Sequence, residues 1–326
     1  MKRARIAIAA AVLAAAAFAT ALAALRPGPR DIPVLMYHNV LPDEEAKTVW
    51  QVSATEFARQ MDELERAGYE TVLPHEIARA ARGLGRLPEK PVVVTFDDGY
   101  EGVKLFAEPV LAEHGFRAIC YVIVDRLGGE GEDRASFDSG PLLSTNEVAA
   151  MAARGTVAVG SHSLTHIPNP QLLSSEIRPS LRKLRKIADT KTRDYCHPYG
   201  LHGYGHMVAA LRESRCETAM VCGDAMFRFS RDADLLAIPR LSVYGGRHDV
   251  AVAAEDPAAG TVTLSNGGVP LPLKAVVRRD SDGRTWEAPE QWAGGRRTPV
   301  YRFGPEALAE PHRIEAWDKS GLFRYL

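Results

Sequence analysis

The chain has 326 residues, with 40 basic against 41 acidic side chains, a formal net charge of −1 and 46% hydrophobic residues. That balance excludes a nucleic-acid binder held by a basic excess. It equally excludes a disordered polyelectrolyte, and the length allows one large domain with a small appendage.

In chain order, Lys2, Arg3 and Arg5 precede an Ala-rich apolar run over residues 6–25. Ala19-Thr20-Ala21 and Ala21-Leu22-Ala23 supply small-x-small cleavage patterns, and the run is also near bilayer-spanning length. Residues 1–26 are therefore expected to be a signal peptide, favoured, or a retained inner-membrane anchor. Either places the rest of the chain in the periplasm or on the outer side of the cytoplasmic membrane. In such an oxidising compartment Cys120, Cys196, Cys216 and Cys222 allow three pairings, and a disulfide and buried free thiols both stay open.

After a Pro/Gly/Arg linker at 26–30, continuous apolar runs predict strands at 32–37, 91–96, 117–124, 156–160, 194–196, 218–221 and 238–243. Runs without alternation favour parallel strands covered on both faces. Ser53-x-x-Glu56 and Ser144-x-x-Glu147 are capping-box signatures, the first followed by Phe57, Met61 and Leu64 at helical spacing. Leu181, Leu184 and Ile187 mark the inner face of a third helix, whose Arg182, Lys183, Arg185 and Lys186 read as a solvated face. Strands alternating with helices over 30–248 predict an α/β barrel or a doubly wound sheet.

From 250 to 326 the texture changes to short β-like runs at 260–264, 273–278, 299–303 and 312–317, with no helix-period segment. This predicts a small antiparallel β-sandwich. Trp50, Trp286, Trp292 and Trp317 could stack on sugar rings, but core packing is the commoner use of tryptophan.

Two segments carry chemistry. Val94-Thr-Phe-Asp97-Asp98-Gly99 places adjacent carboxylates at the end of a buried strand, where barrel folds build their active sites. Gly160-Ser-His162-Ser-Leu-Thr-His166 puts two imidazoles four residues apart at another strand end, a spacing that lets both meet one ion, and imidazole suits zinc and its first-row neighbours. Alternation along a strand predicts different directions, and hence different jobs, for Asp97 and Asp98. A third segment, Tyr195-Cys196-His197-Pro198-Tyr199-Gly200, is weakly informative by itself.

In order and context these motifs resemble those of the polysaccharide deacetylase family (carbohydrate esterase family four). The opening Pro33-Val-Leu-Met-Tyr37-His38 and the closing Ile238-Pro-Arg240-Leu-Ser-Val243 resemble the branch that includes biofilm poly-β-1,6-N-acetylglucosamine deacetylases. Over about residues 32–245 the resemblance implies a distorted (β/α) barrel with fewer than eight regular units. It also implies a metal-dependent hydrolase removing N-acetyl groups from an N-acetylglucosamine-containing polymer or oligomer in the cell envelope. Zinc is favoured, with cobalt or nickel as substitutes, and envelope polysaccharide synthesis or export machinery is the implied partner. Alternatives are a deacetylase of another envelope glycan, such as peptidoglycan or acetylated xylan, and a catalytically silent glycan-binding scaffold.

Carried over by residue, the resemblance makes Asp98, His162 and His166 metal ligands, Asp97 the general base, and Pro198-Tyr199 the turn whose Tyr199 N–H holds the oxyanion. Two departures stand out. The family's Arg-x-x-Pro-Tyr motif has Tyr195 in the Arg position, and Arg240 is expected to supply that cation instead. The late Leu-x-x-His motif, whose His is the general acid, is absent. Of His38, His202, His206 and His248, His38 is expected to serve, since it follows an apolar strand at the same rim. His75, His114 and His312 read as surface or structural residues, and His197 has no assigned role.

Overall fold

The computed structural model describes residues 30–138, 140–223, 225–245, 250–266, 273–288, 298–318 and 322–323. The leader at 1–26, His248 and Trp292 lie outside them.

Seven parallel strands form the central sheet: β1 (Val34–Tyr37), β2 (Pro91–Phe96), β3 (Ala118–Val122), β4 (Val157–Ser161), β5 (Asp194–Cys196), β6 (Thr218–Met220) and β7 (Leu241–Ser242). Their spatial order is β6-β5-β4-β3-β2-β1-β7, and the short strand Glu70–Thr71 also pairs with β2. A Met220–Ile238 bridge just before β7 brings the far edge back towards β6, so the sheet curls as a distorted barrel. β1, β2 and β3 are buried at every position, as strands covered on both faces must be.

Side-chain parity sorts the core into layers. Val92, Val94 and Phe96 face outward with Leu35, Tyr37 and Cys120, where they meet Phe57, Met61 and Leu64 of α1 (Ala54–Arg66). Val93 faces inward with Ile119, Tyr121, Cys196 and Met220. Continuing that odd series, Thr95 and Asp97 point into the barrel at its C-terminal rim.

The helices follow their caps. Ser53 Oγ accepts the Glu56 N–H at the start of α1, but the Glu56 carboxylate takes up Arg59 and Gln60 rather than closing a box. Helices α2 (Pro74–Ala81) and α3 (Glu108–Glu113) come next, and then α4 (Thr145–Arg154), whose Ser144–Glu147 box is complete in both directions. The later helices α5 (Pro170–Ile187) and α6 (Gly205–Glu213) cover β4, β5 and β6 through Leu173, Ile177, Leu181, Tyr195, Met207 and Leu211.

Beyond the barrel lie two antiparallel three-stranded sheets. One holds β8 (Val250–Asp256), β9 (Thr261–Asn266) and β12 (Val300–Arg302); the other holds β10 (Leu273–Arg279), β11 (Thr285–Ala288) and β13 (His312–Asp318). Val262, Leu264 and Tyr301 of the first share one core with Ala275, Val277 and Ala316 of the second, as in a sandwich. A single helical turn, Pro305–Leu308, interrupts the strands where the sequence suggested none. Trp286 lies under the guanidiniums of Arg279 and Arg284, and the Trp317 indole N–H donates to Glu315. All four cysteines are free thiols, so the disulfide alternative is not realised.

Candidate active site

The site gathers at the C-terminal rim of β1, β2, β4 and β5. After Phe96 the chain turns sharply: Asp98 has φ 69° and Gly99 φ 86°, and the Gly99 N–H donates to Asp97 O at 2.9 Å. This corrects the expectation of simple alternation. The left-handed residue swings the Asp98 carboxylate back to the rim that Asp97 already faces. A Cβ on Gly99 would meet Val122 Cγ1 at 2.9 Å, so both the dihedral and the space require glycine.

The other half comes from the end of β4. His162 Nδ1 lies 3.0 Å from the Cys196 carbonyl, an acceptor only, which fixes the proton on Nδ1 and turns the Nε2 lone pair into the site. Ser163 and His166 adopt φ of 68° and 61°, and the His166 N–H donates to Ser163 Oγ at 3.0 Å, closing a tight loop that returns His166 to the rim. His162 Nε2 and His166 Nε2 then lie 3.6 and 3.5 Å from Asp98 Oδ1. Corner ligands about 2.1 Å from a tetrahedral zinc are separated by about 3.4 Å, so the spacing fits a divalent ion of that size.

The two carboxylates live in opposite electrostatic circumstances. Arg240, completely buried, donates from Nη1 to Asp97 Oδ1 and from Nη2 to Asp97 Oδ2, both at 2.7 Å. Its Nη1 also reaches Thr95 Oγ1 at 3.1 Å, and its Nε reaches the Val221 carbonyl at 3.3 Å. Burial alone would raise the Asp97 pKa, but Arg240 and then His162 outweigh it and hold the carboxyl well below its usual range. Among the described residues Asp98 has no such partner: burial, then the Asp97 charge, push it up to about 8. A buried carboxylate facing two imidazoles without a cation of its own is the charge pattern of a metal site.

Burial lowers His162 to about 3 and His166 below its ordinary value, leaving both neutral, the form that binds metal. A second group, Asp97, His162 and Cys196, is equally compact. Its Asp97 is already engaged by Arg240, however, and burial keeps the Cys196 thiol protonated, so Asp98, His162 and His166 are the better set. A third group, Asp62, Glu65 and His114, is a surface cluster whose imidazole already contacts both acids.

The structure brings most sequence-predicted residues together. Pro198, buried, starts a one-turn 3₁₀ segment; Tyr199 follows at φ 56°, 57% exposed, with its ring 4.5 Å from that of His166. His38 stands at the rim with its ring 4.7 Å from Trp50, and Nδ1 makes no hydrogen bond. Burial lowers it to about 4 against the opposing pull of Asp97, so the imidazole is neutral near pH 7. His202 and His206 are exposed and hydrogen-bonded to the Gly200 and Pro170 carbonyls.

Two features escaped the sequence. Tyr195 packs outside the sheet, so the motif position does not face the base at all. Its neighbour Cys196 points inward, with Sγ 3.5 and 3.6 Å from the Asp97 oxygens. Thr95, inward-facing in the Thr-Phe-Asp-Asp-Gly motif, braces Arg240, and strand parity was the signal that could have found it. His197 is buried.

Residues 85–213 match the polysaccharide deacetylase family model, a span containing Asp97, Asp98, His162, His166 and Tyr199. The chain carries a polysaccharide deacetylase domain. It is 26% identical over 231 residues to YxkH of Bacillus subtilis (strain 168), classed as a polysaccharide deacetylase, covering 69% of this chain and 76% of that protein. It is 32% identical over 134 residues to the poly-β-1,6-N-acetyl-D-glucosamine N-deacetylase of Escherichia coli (strain K12), which is 40% of this chain but a fifth of that protein's length. Among solved structures it is similar to IcaB from Ammonifex degensii, with TM-score 0.56 and 27% identity over 65% of this chain and 91% of that one. His38 and Arg240 fall outside the matched span but stand at the same rim as the rest of the site.

Proposed function

We propose that this polysaccharide deacetylase removes N-acetyl groups from an N-acetylglucosamine-containing polymer or oligomer. The observation that carries the reading is the contrast between Asp97, ionised and clamped by Arg240, and Asp98, which faces His162 and His166 with no cation of its own. Asp98, His162 and His166 would hold a divalent ion, zinc before cobalt or nickel. Such an ion supplies a Lewis acid that polarises the acetamide carbonyl and acidifies the attacking water.

The rest is the work of this chain's side chains. Asp97 accepts the proton of the attacking water. Each of its oxygens gives one lone pair to Arg240, and with the Cys196 thiol donating to one of them the other keeps a lone pair free. The clamp holds it anionic at any working pH and lowers its basicity, so its role depends on the water being acidified. The Tyr199 N–H is assigned to the developing oxyanion. His38, neutral at rest, passes a proton to the departing amine once the proton taken by Asp97 has reached it. Trp50 (41% exposed) beside His38, and Tyr199 beside His166, flank the mouth with ring faces on which a sugar can stack.

The N-acetylglucosamine specificity rests on the likeness to the Escherichia coli enzyme. The placement outside the cytoplasmic membrane rests on the basic, then Ala-rich, N-terminus. The test is acetate release by the purified protein supplied with zinc, cobalt or nickel and N-acetylglucosamine oligomers of different linkage. Release should disappear in Asp97→Asn while bound metal is retained. No release from any N-acetylated glycan by a metal-loaded protein would refute the reading.

A further inference from the structure

The outer faces of α5 and α6 carry a feature that deacetylation does not use. At their C-terminal ends is a cavity of about 430 Å³ lined by Arg178, Arg182, Arg185, Glu213, Ser214 and Arg215. Four guanidiniums stand against one carboxylate, in a chain whose formal net charge is −1. Arg185 has a structural job, donating to the Thr192 and Ser214 carbonyls. Arg178, Arg182 and Arg215 have no ion-pair or hydrogen-bonding partner among the described residues, and all three are exposed. Next to them Ser214 is buried, and its hydroxyl makes no hydrogen bond.

A solvated helix face does not account for this arrangement. Such a face has its cations splayed into water or paired with a nearby acid, as Lys183 pairs with Asp125 on the neighbouring flank. Here cations from the helix and from the turn after α6 converge on one concavity, and a buried donor there lacks an acceptor. Like charges held together in a hollow repel unless an anion joins them. A buried hydroxyl without a partner costs free energy that a ligand oxygen would recover. Guanidinium forks match the oxygens of a phosphoryl group two at a time.

We propose that this cavity is a phosphate-binding site, taking a phosphoryl group held by Arg178, Arg182 and Arg215, with the Ser214 hydroxyl as the inner donor. It lies at the strand-entry end of the sheet, where Thr192 and Ser214 precede β5 and β6, whereas the deacetylase site stands at the strand C-termini. The ligand is therefore an anchor or effector, distinct from the glycan being cut. The phosphoryl group can come from free phosphate or from an anionic phospholipid headgroup.

The test is calorimetry on the full chain at fixed ionic strength, titrating inorganic phosphate and pyrophosphate, together with sedimentation on phosphatidylglycerol and phosphatidylcholine vesicles. Wild-type protein should bind one of the phosphate-bearing probes saturably. Arg178→Gln/Arg182→Gln should weaken that binding by roughly tenfold or more, the scale of one lost charge-assisted hydrogen bond. Ser214→Ala should weaken it by about threefold to tenfold. Acetate release and melting temperature should stay at wild-type values in both. Binding of free phosphate identifies the small ion as the source; binding of phosphatidylglycerol vesicles alone identifies a lipid headgroup. No saturable binding to any probe, or equal binding by the arginine variant, would overturn the proposal.

Discussion

Arg240→Met is the perturbation that most directly probes the site. Arg240 is completely buried, and the side chain of Asp97 is only 4% exposed. Removing one partner of such a pair leaves an uncompensated buried charge, typically at a cost of about 3–5 kcal/mol. That is a large fraction of the about 5–15 kcal/mol that holds an ordinary domain folded. The sign with pH is set by the depressed Asp97 pKa. The pair's contribution is fully present above the unfolded carboxylate value of about 4 and is lost as pH falls through the lower folded value.

In the variant, burial is no longer opposed by Arg240, so Asp97 ionises only at higher pH. The acidic limb of the acetate-release profile should move upward, and turnover at neutral pH should fall by roughly 10²-fold or more, the usual scale of a lost general base. Urea unfolding of the metal-loaded protein measures the stability, and acetate release against pH measures the chemistry. Asp97→Asn/Arg240→Met, which removes both charges, should recover part of the stability lost in the single variant. Near-wild-type unfolding and an unshifted pH profile in Arg240→Met would show that the clamp does not serve the base.

Metal-free protein should lose stability between about pH 7 and about pH 8, where the histidines are neutral in both states while folded Asp98 still holds the proton that the unfolded group gave up near 4; melting scans with and without zinc check this, and zinc should abolish the trend. His38→Gln should lower turnover by about 10²-fold or more with metal content unchanged, and a loss under about threefold in single-turnover acetate release would assign both proton transfers to Asp97. Gly99→Ala imposes a left-handed dihedral and a contact with Val122, and should cost about 1–3 kcal/mol in urea unfolding together with a loss of activity.

Much of the site was legible without coordinates. Asp97, Asp98, His162 and His166 occupy short local motifs at the ends of apolar runs, and local spacing is what a linear chain displays. The barrel strands were visible for the same reason: burial on both faces leaves a continuous apolar run. The short strands Arg30–Ile32 and Phe227–Phe229, which pair with each other in a separate two-stranded sheet, were less so, since Arg30, Asp31 and Arg228 interrupt their apolar character. The proposed convergence on α5 is not legible in the sequence, where Arg182, Lys183, Arg185 and Lys186 read as a solvated face, because a concavity needs a second wall, and that wall, Ser214 and Arg215, comes some thirty residues later.

Composition and pattern by themselves determined an α/β domain, either a barrel or a doubly wound sheet, with a β-rich tail and a reaction centre built on two strand ends, since both follow from burial periodicity and local ligand spacing. Tertiary structure alone decided which carboxylate is clamped and which lacks a cation. Arg240 meets Asp97 across 143 residues of chain, because the last strand pairs with β1 and so lies next but one to β2 in the sheet. It likewise decided that Cys196 rather than Tyr195 faces the base. Which side of a strand points inward is set by register with its neighbours, a relation between segments that no single segment carries.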